Sequence, residues 1–226
     1  EEDVERTQPE LPNAPLILEK FVPFTREVSM LGVRGRTGEA VFYPVVENHH
    51  RGGILRLSLA PAPNLTAALQ QSAEQATQKV LEALDYAGVI CIEFFEVDGQ
   101  LLANEIAPRV HNSGHWTIEG AVTSQFENHL RAILGMPLGS TAAMGYSAMV
   151  NLIGELPDVE QVLRVQNTHL HLYGKSPRPG RKLGHITVRA DTFEKLQQRL
   201  AGLPDFFARP EFCLAQALPK ALAKQT

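Results

Sequence analysis

The chain has 226 residues, of which 44% are hydrophobic and 20% are charged, and its formal net charge is -4. This composition is typical of a globular protein of one or two domains, and the negative charge argues against a nucleic-acid or membrane partner. The sequence contains no apolar run long enough to cross a bilayer, and its acidic, polar first residues are not expected to act as a signal peptide. Its two cysteines lie far apart, which predicts reduced thiols and a cytoplasmic location.

The first half of the chain is predicted to consist mainly of β-strands. Apolar residues alternate with polar or small ones in several short runs, whereas one longer segment follows the helical period. Asp98-Gly99 is a strong hairpin signal. The predicted elements are strands at residues 16–22, 27–33, 40–46 and 53–59, a helix at 65–85, and hairpin strands at 89–97 and 101–107.

The second half is predicted to mix helices and strands. A helix at 124–134 ends at Gly135 and Pro137, and the small residues at 139–145 indicate a boundary. Strands are predicted at 148–153, 169–173 and 185–188, and a helix at 192–200. Because strands and helices do not alternate as βαβ units, the sequence predicts an α+β architecture.

One short segment, Asn104 to Trp116, holds acidic, basic, amide and hydroxyl side chains next to glycine. A second carboxylate, Glu93, lies just upstream within the apolar run VICIEFF. A buried polar group without a hydrogen-bond partner lowers the stability of the fold by roughly 1–3 kcal/mol, so this many polar residues are not expected in a purely structural core strand. We therefore interpret the segment as a functional site.

Glu93 and Glu105 lie on the two strands of the predicted hairpin. If the connecting loop has an odd length, the two carboxylates face each other, with Cβ atoms roughly 4.5–5.5 Å apart, and can bind one hard cation such as Mg²⁺ or Mn²⁺. A two-residue turn would instead pair Glu93 with Asn104, so the metal hypothesis requires a longer, odd loop. The alternative is that both glutamates face solvent, although the apolar neighbours of Glu93 favour a cation or several donors.

Four residues that follow the second hairpin strand are candidates for binding a small oxyanion: Arg109, His111, Asn112 and Ser113. Arginine offers a bidentate clamp, the amide and hydroxyl offer donors, and histidine offers a donor or a proton shuttle. The alternative is a polar turn that caps the helix at 121–134. His111 and His115 are four residues apart, but the zincin glutamate is missing between them, and we do not predict zinc.

A basic cluster lies in the stretch KSPRPGRKLGH and consists of Lys175, Arg178, Arg181 and Lys182. Prolines stiffen the stretch and Gly180 permits close backbone approach, so in an acidic chain the cluster is a candidate for binding a phosphate or a nucleotide. A solvated basic loop is the alternative. His169 and His171 share one face of a predicted strand, and we interpret them as hydrogen-bonded strand residues rather than ligands.

Three stretches resemble a known family: LEKFVPFTREVSMLGVRG, IEFF with NEIAPRVHNSGHW, and RPGRKLGHITV. They are similar to the 5-(carboxyamino)imidazole ribonucleotide synthases, the ATPase component of phosphoribosylaminoimidazole carboxylase in the ATP-grasp superfamily. The similarity runs from about Leu16 to about Phe207. It implies the carboxyl-terminal part of an ATP-grasp domain at 1–140, with an antiparallel sheet and flanking helices, then a small mixed β domain at 141–208 and an unassigned tail at 209–226.

The resemblance also implies a reaction and its cofactors. ATP and bicarbonate form carboxyphosphate, and the amine of 5-aminoimidazole ribonucleotide captures its carboxyl group in purine synthesis. The implied cofactors are ATP and Mg²⁺ or Mn²⁺. The implied partners are ATP, bicarbonate and the ribonucleotide in a homodimer, without nucleic acid or membrane.

The family's functional residues map onto this sequence in four groups. The metal-binding carboxylates correspond to Glu93 and Glu105. Nucleotide contacts correspond to Glu19, Lys20, Phe21, Val22, Glu27, His50, Asn104 and Glu105, with Glu27 at the ribose. The bicarbonate and carboxyphosphate pocket corresponds to Arg109, His111, Asn112 and Ser113. The ribonucleotide phosphate corresponds to Lys175, Arg181 and Lys182.

The sequence departs from the family in one respect. Family members carry an amino-terminal domain, a phosphate-binding lysine and a glycine-rich loop, and this sequence, which begins without Met, contains none of them. We therefore expect that residue 1 is not the biological start and that the isolated chain is inactive. Lys20, Phe21 and Thr25 are also atypical of the adenine segment.

Two other functions remain open. The chain could belong to another ATP-grasp ligase, although the HNSGHW and RPGRK motifs argue against it. It could also be a non-catalytic module for nucleotide binding or dimerisation.

Overall fold

Nine antiparallel strands form one sheet in the computed structural model, which describes residue 17 and residues 19–217. The strands are β1 (Arg26–Arg34), β2 (Ala40–Phe42), β3 (Val46–Arg51), β4 (Ile54–Ala60), β5 (Gly88–Val97), β6 (Gln100–Ala107), β7 (Tyr146–Ile153), β8 (Thr168–Leu172) and β9 (Lys182–Ala190). Their order across the sheet is β6-β5-β1-β3-β4-β7-β9-β8, and β2 also pairs with β1. Because β7 pairs with β4, the sheet continues across the boundary predicted near residue 140.

Helices lie on both faces of this sheet. They are α1 (Ala67–Ala83), α2 (Thr117–Gly120), α3 (Gln125–Leu134), α4 (Val159–Leu163), α5 (Phe193–Ala201) and α6 (Leu214–Ala217), with 3₁₀ turns at Asn112–Gly114, Asp205–Ala208 and Pro210–Phe212. The predicted α+β class, an antiparallel sheet with flanking helices, is confirmed. None of these helices combines the length and the apolar character that crossing a membrane would require.

Most predicted elements lie within two residues of their observed bounds, and three differ. The strand predicted at 16–22 is wrong, because residues 17 and 19–22 form no strand; residues 16 and 18 lie outside the described residues. The strand predicted at 40–46 is interrupted at Pro44, which has no N–H to donate, so β2 and β3 pair with β1 as two separate strands. Strand β9 begins at Lys182 rather than at residue 185.

The two faces of the sheet differ in what covers them. Alternate residues of β1 point to opposite faces, so Met30 packs in the apolar cluster under α1, whereas Leu31 packs with Trp116 on the other side. Glu27 and Ser29 alternate with Leu31 and therefore share its face. We call this the site face: it is apolar core at one end and polar at the other.

The hairpin of β5 and β6 contradicts the predicted condition on loop length. Asp98 and Gly99 form a two-residue turn with positive φ angles of 50° and 74°. This turn alone would pair Glu93 with Asn104, but a β-bulge makes Asn104 the extra residue and pairs Glu93 with Glu105. The requirement for an odd loop was therefore wrong, because the bulge rather than the loop brings the two carboxylates opposite each other.

Two further bulges direct side chains to the site face. In the ladder of β3 with β4, Arg56 is the extra residue, so Leu55 rather than Arg56 lies opposite His50 and shares its face. In the ladder of β7 with β9 it shifts so that Lys182 lies opposite Ile153. Because Ile153 alternates with Asn151, this shift puts Lys182 on the face of Asn151, whereas a regular ladder would turn it away.

We predict that Gly114→Ala lowers the free energy of unfolding by about 1–3 kcal/mol, the usual cost of overpacking a core. A Cβ at Gly114 would overlap the Leu31 side chain and the Gln125 amide. Urea denaturation measures the change. Gly202→Ala is the control, because the nearest atom to its Cβ would be Arg199 O at 3.4 Å. Equal losses in the two variants would contradict tight packing at Gly114.

Candidate functional site

Half of the residues that the sequence assigned to ligand binding line one cavity on the site face. Its volume is about 320 Å³. Its walls are Glu27, His50, Gly53, Leu55, Glu93, Asn104, Glu105, His111, Asn112 and Lys182. The residue pattern assigned six of these, and the family resemblance added Glu27 and His50; Gly53 and Leu55 were not assigned.

Glu93 is half-buried in this cavity, and its charge is strongly affected by its surroundings. Burial raises the pKa of Glu93, and the neighbouring Glu105 and Glu27 carboxylates raise it further. His50 and Lys182 act in the opposite direction and favour the ionised form. The carboxylate therefore needs cations or hydrogen-bond donors beside it if it is to carry its charge.

His111 supplies one such donor. Its Nε2 atom lies 3.2 Å from Glu93 Oε1, and its Nδ1 accepts a hydrogen bond of 3.3 Å from the backbone N–H of Ser113. Burial lowers the pKa of His111 to about 4, helped by the positive charges of Arg109 and Lys182. The ring is therefore neutral near pH 7, and its proton on Nε2 forms a hydrogen bond, rather than an ion pair, with Glu93.

A buried chain of hydrogen bonds supports this orientation of His111. The Ser113 hydroxyl lies 2.9 Å from His111 Nδ1 and accepts from the Ser29 hydroxyl at 2.8 Å. Asn48 Nδ2 donates to Ser29 at 2.9 Å, and the Ser58 hydroxyl donates to Asn48 Oδ1 at 2.8 Å. Each side chain uses its neighbour as acceptor, so the chain runs in one direction from β4 to the imidazole.

Gln125 fixes the backbone of the same segment. Its Oε1 accepts from the His111 N–H at 2.9 Å, and its Nε2 donates to the His111 carbonyl at 2.7 Å. The cap of α3 is Ser124, whose hydroxyl accepts from the Glu127 N–H at 3.1 Å. The alternative interpretation of the segment as a turn that caps this helix is therefore wrong.

Lys182 approaches the cavity from β9. Its ammonium lies 2.8 Å from Asn112 Oδ1. Burial lowers the pKa of Lys182, and the Glu93 charge offsets part of that effect. The side chain of Asn112 in turn pairs with that of Asn151, a fully buried residue of β7.

The other assigned basic residues do not line the cavity. Arg109 is exposed, and its guanidinium donates to the Val110 carbonyl at 3.1 Å. Lys175 lies 5.6 Å from the centre of the Tyr173 ring, on the exposed loop between β8 and β9. Arg181 donates to the Ser176 carbonyl of the same loop at 3.3 Å, and Arg178 is exposed there as well. The structure thus separates Lys182 from the rest of the predicted cluster.

A second cavity, of about 490 Å³, adjoins the first. Its walls are Glu19, Lys20, Phe21, Val22, Phe24, Phe95, Leu102, Ala103 and Asn104. The Phe24 and Phe95 rings stack with their centres 4.7 Å apart. Asn104, the bulge residue, lines both cavities, so an apolar pocket and a charged pocket share one wall.

Glu27 and His50 form a pair in the charged pocket. His50 Nδ1 lies 3.1 Å from Glu27 Oε2. Burial alone would lower the pKa of His50, but the hydrogen bond and charge of Glu27, with the charge of Glu93, outweigh burial and raise it. The pocket therefore combines anionic and cationic groups at close range.

Glu93 and Glu105 form a suitable donor set for a hard divalent cation. They are direct neighbours across the ladder, and both line the charged pocket. Within the described residues, no group of three or more His, Cys, Asp or Glu side chains is arranged to hold a metal. Mg²⁺ commonly binds one or two carboxylates and completes its shell with water and phosphate oxygens. The residues thus fit a cation shared with a phosphate, not a closed metal site.

The sequence pattern missed the residues that support the pocket from behind. They are Ser29, Asn48, Ser58, Gln125 and Asn151, all buried. A signal existed for Asn151, which interrupts an apolar strand as Glu93 does. The serines carried no such signal, because serine is common in strands of every kind.

Comparison with protein families gives two matches. Residues 1–126 match the model described as ATP-grasp domain. Residues 147–199 match the model described as Phosphoribosylaminoimidazole carboxylase C-terminal domain. The two matches lie on either side of the predicted boundary.

Individual relatives agree with these matches. The N5-carboxyaminoimidazole ribonucleotide synthase of Pseudomonas aeruginosa is 58% identical over 199 residues, which are 88% of this chain and 54% of that protein. The synthetase structure from Thermus thermophilus has a TM-score of 0.87 at 64% identity and covers 89% of this chain and 56% of that one. The Aspergillus clavatus synthase, solved with ADP and 5-aminoimidazole ribonucleotide, has a TM-score of 0.83 at 37% identity, covering 88% of this chain and 55% of that one. The chain spans about half the length of the curated relatives it matches.

Three histidine rings form a cluster around His185. His185 stacks on His171 with ring centres 4.5 Å apart and lies 5.0 Å from His115. His171 Nε2 lies 2.6 Å from Glu119 Oε1, so the expectation that His171 is a hydrogen-bonded strand residue is confirmed. Burial lowers the pKa of His115 to about 4 and that of His185 to about 3.

These shifts predict acid destabilisation. An unfolded histidine gains a proton below its ordinary pKa of 6.5, while folded His185 stays neutral down to about 3, so stability is lost as the pH falls through that window. We predict that His185→Gln reduces the slope of unfolding free energy against pH, between about pH 6 and 4, by about 1.4 kcal/mol per pH unit. Urea denaturation at several pH values measures the slope. A variant that kept the full wild-type slope would contradict the assignment to His185.

Proposed function

Because this chain belongs to the ATP-grasp family, we propose that it serves an ATP- and bicarbonate-dependent ligase that carboxylates 5-aminoimidazole ribonucleotide in purine biosynthesis. The observation that carries the proposal is the pairing of Glu93 with Glu105 in a pocket that also holds the Lys182 ammonium. The two carboxylates can bind a metal ion that also contacts the phosphates of ATP, and the ammonium can bind a second anion beside it.

The adjoining apolar pocket is the proposed site of the adenine ring. The stretch from Glu19 to Val22 and the stacked pair of Phe24 and Phe95 line it. The polyphosphate then extends past Asn104 into the charged pocket, and Glu27 accepts hydrogen bonds from the ribose hydroxyls with His50 beside it. The shared wall at Asn104 supports this placement.

Glu93 and Glu105 are the proposed ligands of Mg²⁺ or Mn²⁺. Bound there, the ion supplies positive charge that offsets the repulsion between phosphate oxygens and an incoming anion. The protein holds Glu93 in place through the His111 N–H at Oε1, and no described residue donates a hydrogen bond to Oε2. Glu105 is exposed, and no described residue donates a hydrogen bond to its carboxylate.

The proposed reaction has two steps. A bicarbonate oxygen attacks the terminal phosphorus of ATP, which forms carboxyphosphate and releases ADP. The amine nitrogen of the ribonucleotide then attacks the carboxyl carbon, a C–N bond forms, and phosphate leaves. Because carboxyphosphate hydrolyses readily, the pocket must exclude water between the steps.

The oxyanion of bicarbonate is proposed to lie among Lys182, Asn112 and His111, with Arg109 approaching from the pocket rim. Ser113 is fully buried behind His111, so its proposed role is to orient that ring. Lys175 and Arg181, on the loop that leads into Lys182, are proposed to meet the ribonucleotide phosphate together with Lys182. Lys175 is exposed and Arg181 is half-buried, which suits a ligand that enters from solvent.

A homodimer is also proposed. Leu130, Leu134 and Met136 are more than half exposed, at 55%, 65% and 52%, and lie together at the end of α3. Burial of this apolar surface against a second copy would release its bound water. Light scattering on the purified protein tests the proposal, and a monomer at all concentrations would contradict it.

The function is tested on the longest encoded protein that contains this chain. ADP release should require both bicarbonate and 5-aminoimidazole ribonucleotide, and the product should carry the bicarbonate carbon as an acid-labile carbamate. ADP release that needs neither substrate, or that depends on a different amine, would contradict the proposal.

We predict that Glu105→Gln lowers kcat by about 100-fold or more, the scale expected when one electrostatic contact is removed from a transition state. The amide keeps the shape of the side chain but loses the charge that holds the cation. Steady-state rates over a Mg²⁺ titration measure the effect. Glu82→Gln is the control, since Glu82 is exposed on α1 at the opposite face of the sheet. Unchanged turnover in Glu105→Gln would contradict the metal assignment.

A further inference from the structure

Asn151 is a fully buried amide in the apolar strand β7. Its Nδ2 donates to the Leu55 carbonyl at 2.9 Å and to Asn112 Oδ1 at 2.7 Å. Its Oδ1 accepts from Asn112 Nδ2 at 3.1 Å. Both donor hydrogens and the carbonyl oxygen are thus used, which fixes the orientation of the amide.

The reciprocal pair also fixes Asn112. Asn112 Oδ1 accepts from Asn151 and, at 2.8 Å, from the Lys182 ammonium, so this oxygen receives two donors. One hydrogen of Asn112 Nδ2 is bound to Asn151. The other has no acceptor among the described residues and is available to a ligand in the pocket. Asn112 therefore presents a donor, not an acceptor, to whatever enters.

Asn151 connects two parts of the chain that approach the pocket separately. Asn112 lies on the segment after β6, and Lys182 begins β9. The bulge in the ladder of β7 with β9 puts Lys182 on the face of Asn151, but a four-carbon side chain can still point in several directions. Asn151 holds the Asn112 oxygen in place, and the hydrogen bond from Lys182 to this oxygen fixes the direction of the lysine side chain.

We propose that Asn151 is a positioning residue that, through Asn112, sets the place of the Lys182 ammonium and so the affinity of the pocket for a small oxyanion. The remaining donor hydrogens of Asn112 and Lys182 are then available in the same pocket. There they can bind two oxygen atoms of one carbonate or phosphate ion. The proposal depends on the function proposed above only for the identity of that anion.

The test compares two buried asparagines. Asn128 is also fully buried and also makes three hydrogen bonds, to the Tyr43 hydroxyl, the Gly139 carbonyl and the Gly139 N–H, but it does not line the pocket. Asn151→Ala and Asn128→Ala should therefore lower the melting temperature to a similar extent. Only Asn151→Ala should alter the pocket. Asn151→Asp is a second variant of native size that lacks the two donated hydrogen bonds.

The first readout does not depend on turnover. Lysines are labelled by reductive ¹³C-methylation, and the Lys182 signal is assigned with Lys182→Arg. In the wild type and in Asn128→Ala, inorganic phosphate should shift this signal. In both Asn151 variants the signal should move before phosphate is added. The apparent affinity for phosphate should fall by about 10- to 100-fold, the range known for loss of a residue that orients a metal ligand.

The second readout is kinetic and uses the longest encoded protein that contains this chain. The KM for bicarbonate should rise about 10-fold or more in the Asn151 variants, with a smaller change in kcat, and should stay unchanged in Asn128→Ala. Asn151 variants that match Asn128→Ala in both readouts would overturn the proposal. If the wild type shows no ribonucleotide-dependent turnover, the proposed function fails, and the phosphate readout alone still decides the role of Asn151.

Discussion

The half-buried carboxylate of Glu93 constrains the arrangement of the other site residues. It lies on a sheet face whose opposite end is apolar core, so burial disfavours its charge. The charge is balanced by the His111 N–H and by the positive potential of His50 and Lys182. These groups come from three different parts of the chain, and each must reach the same small space. A site of this kind can exist only where the backbone directs all of them inward.

The bulges in the sheet provide that direction. A regular sheet sends alternate residues to opposite faces, and a one-residue shift in register reverses the assignment. The extra residue Asn104 brings Glu105 opposite Glu93, and the shift in β9 turns Lys182 towards Asn112. The sheet thus remains continuous and well paired while its alternation is broken beside the site.

The buried polar groups behind the pocket connect its chemistry to the core. Ser29 alternates with the core residue Leu31, and its hydroxyl lies between Asn48 and Ser113 in the chain that ends at His111. Because each member has a partner, the network holds one geometry at little cost in desolvation. Asn151 acts in the same way on the other wall. The pocket is therefore supported from both sides before any ligand enters.

The sequence by itself determined the class of the fold, nearly all of its long elements and most of the pocket's lining. Hydrophobic periodicity is a local property, and a charge in an apolar run such as Glu93 stands out without a structure. The sequence could not determine how Glu93 meets Glu105, because the bulge at Asn104 leaves no local mark and the Asp98-Gly99 turn predicted the opposite pairing. It also grouped Lys182 with Lys175 and Arg181, which are its neighbours along the chain, although its contact is with Asn112, 70 residues away. Only the tertiary structure decided these points, since register and long-range hydrogen bonds depend on which strands meet.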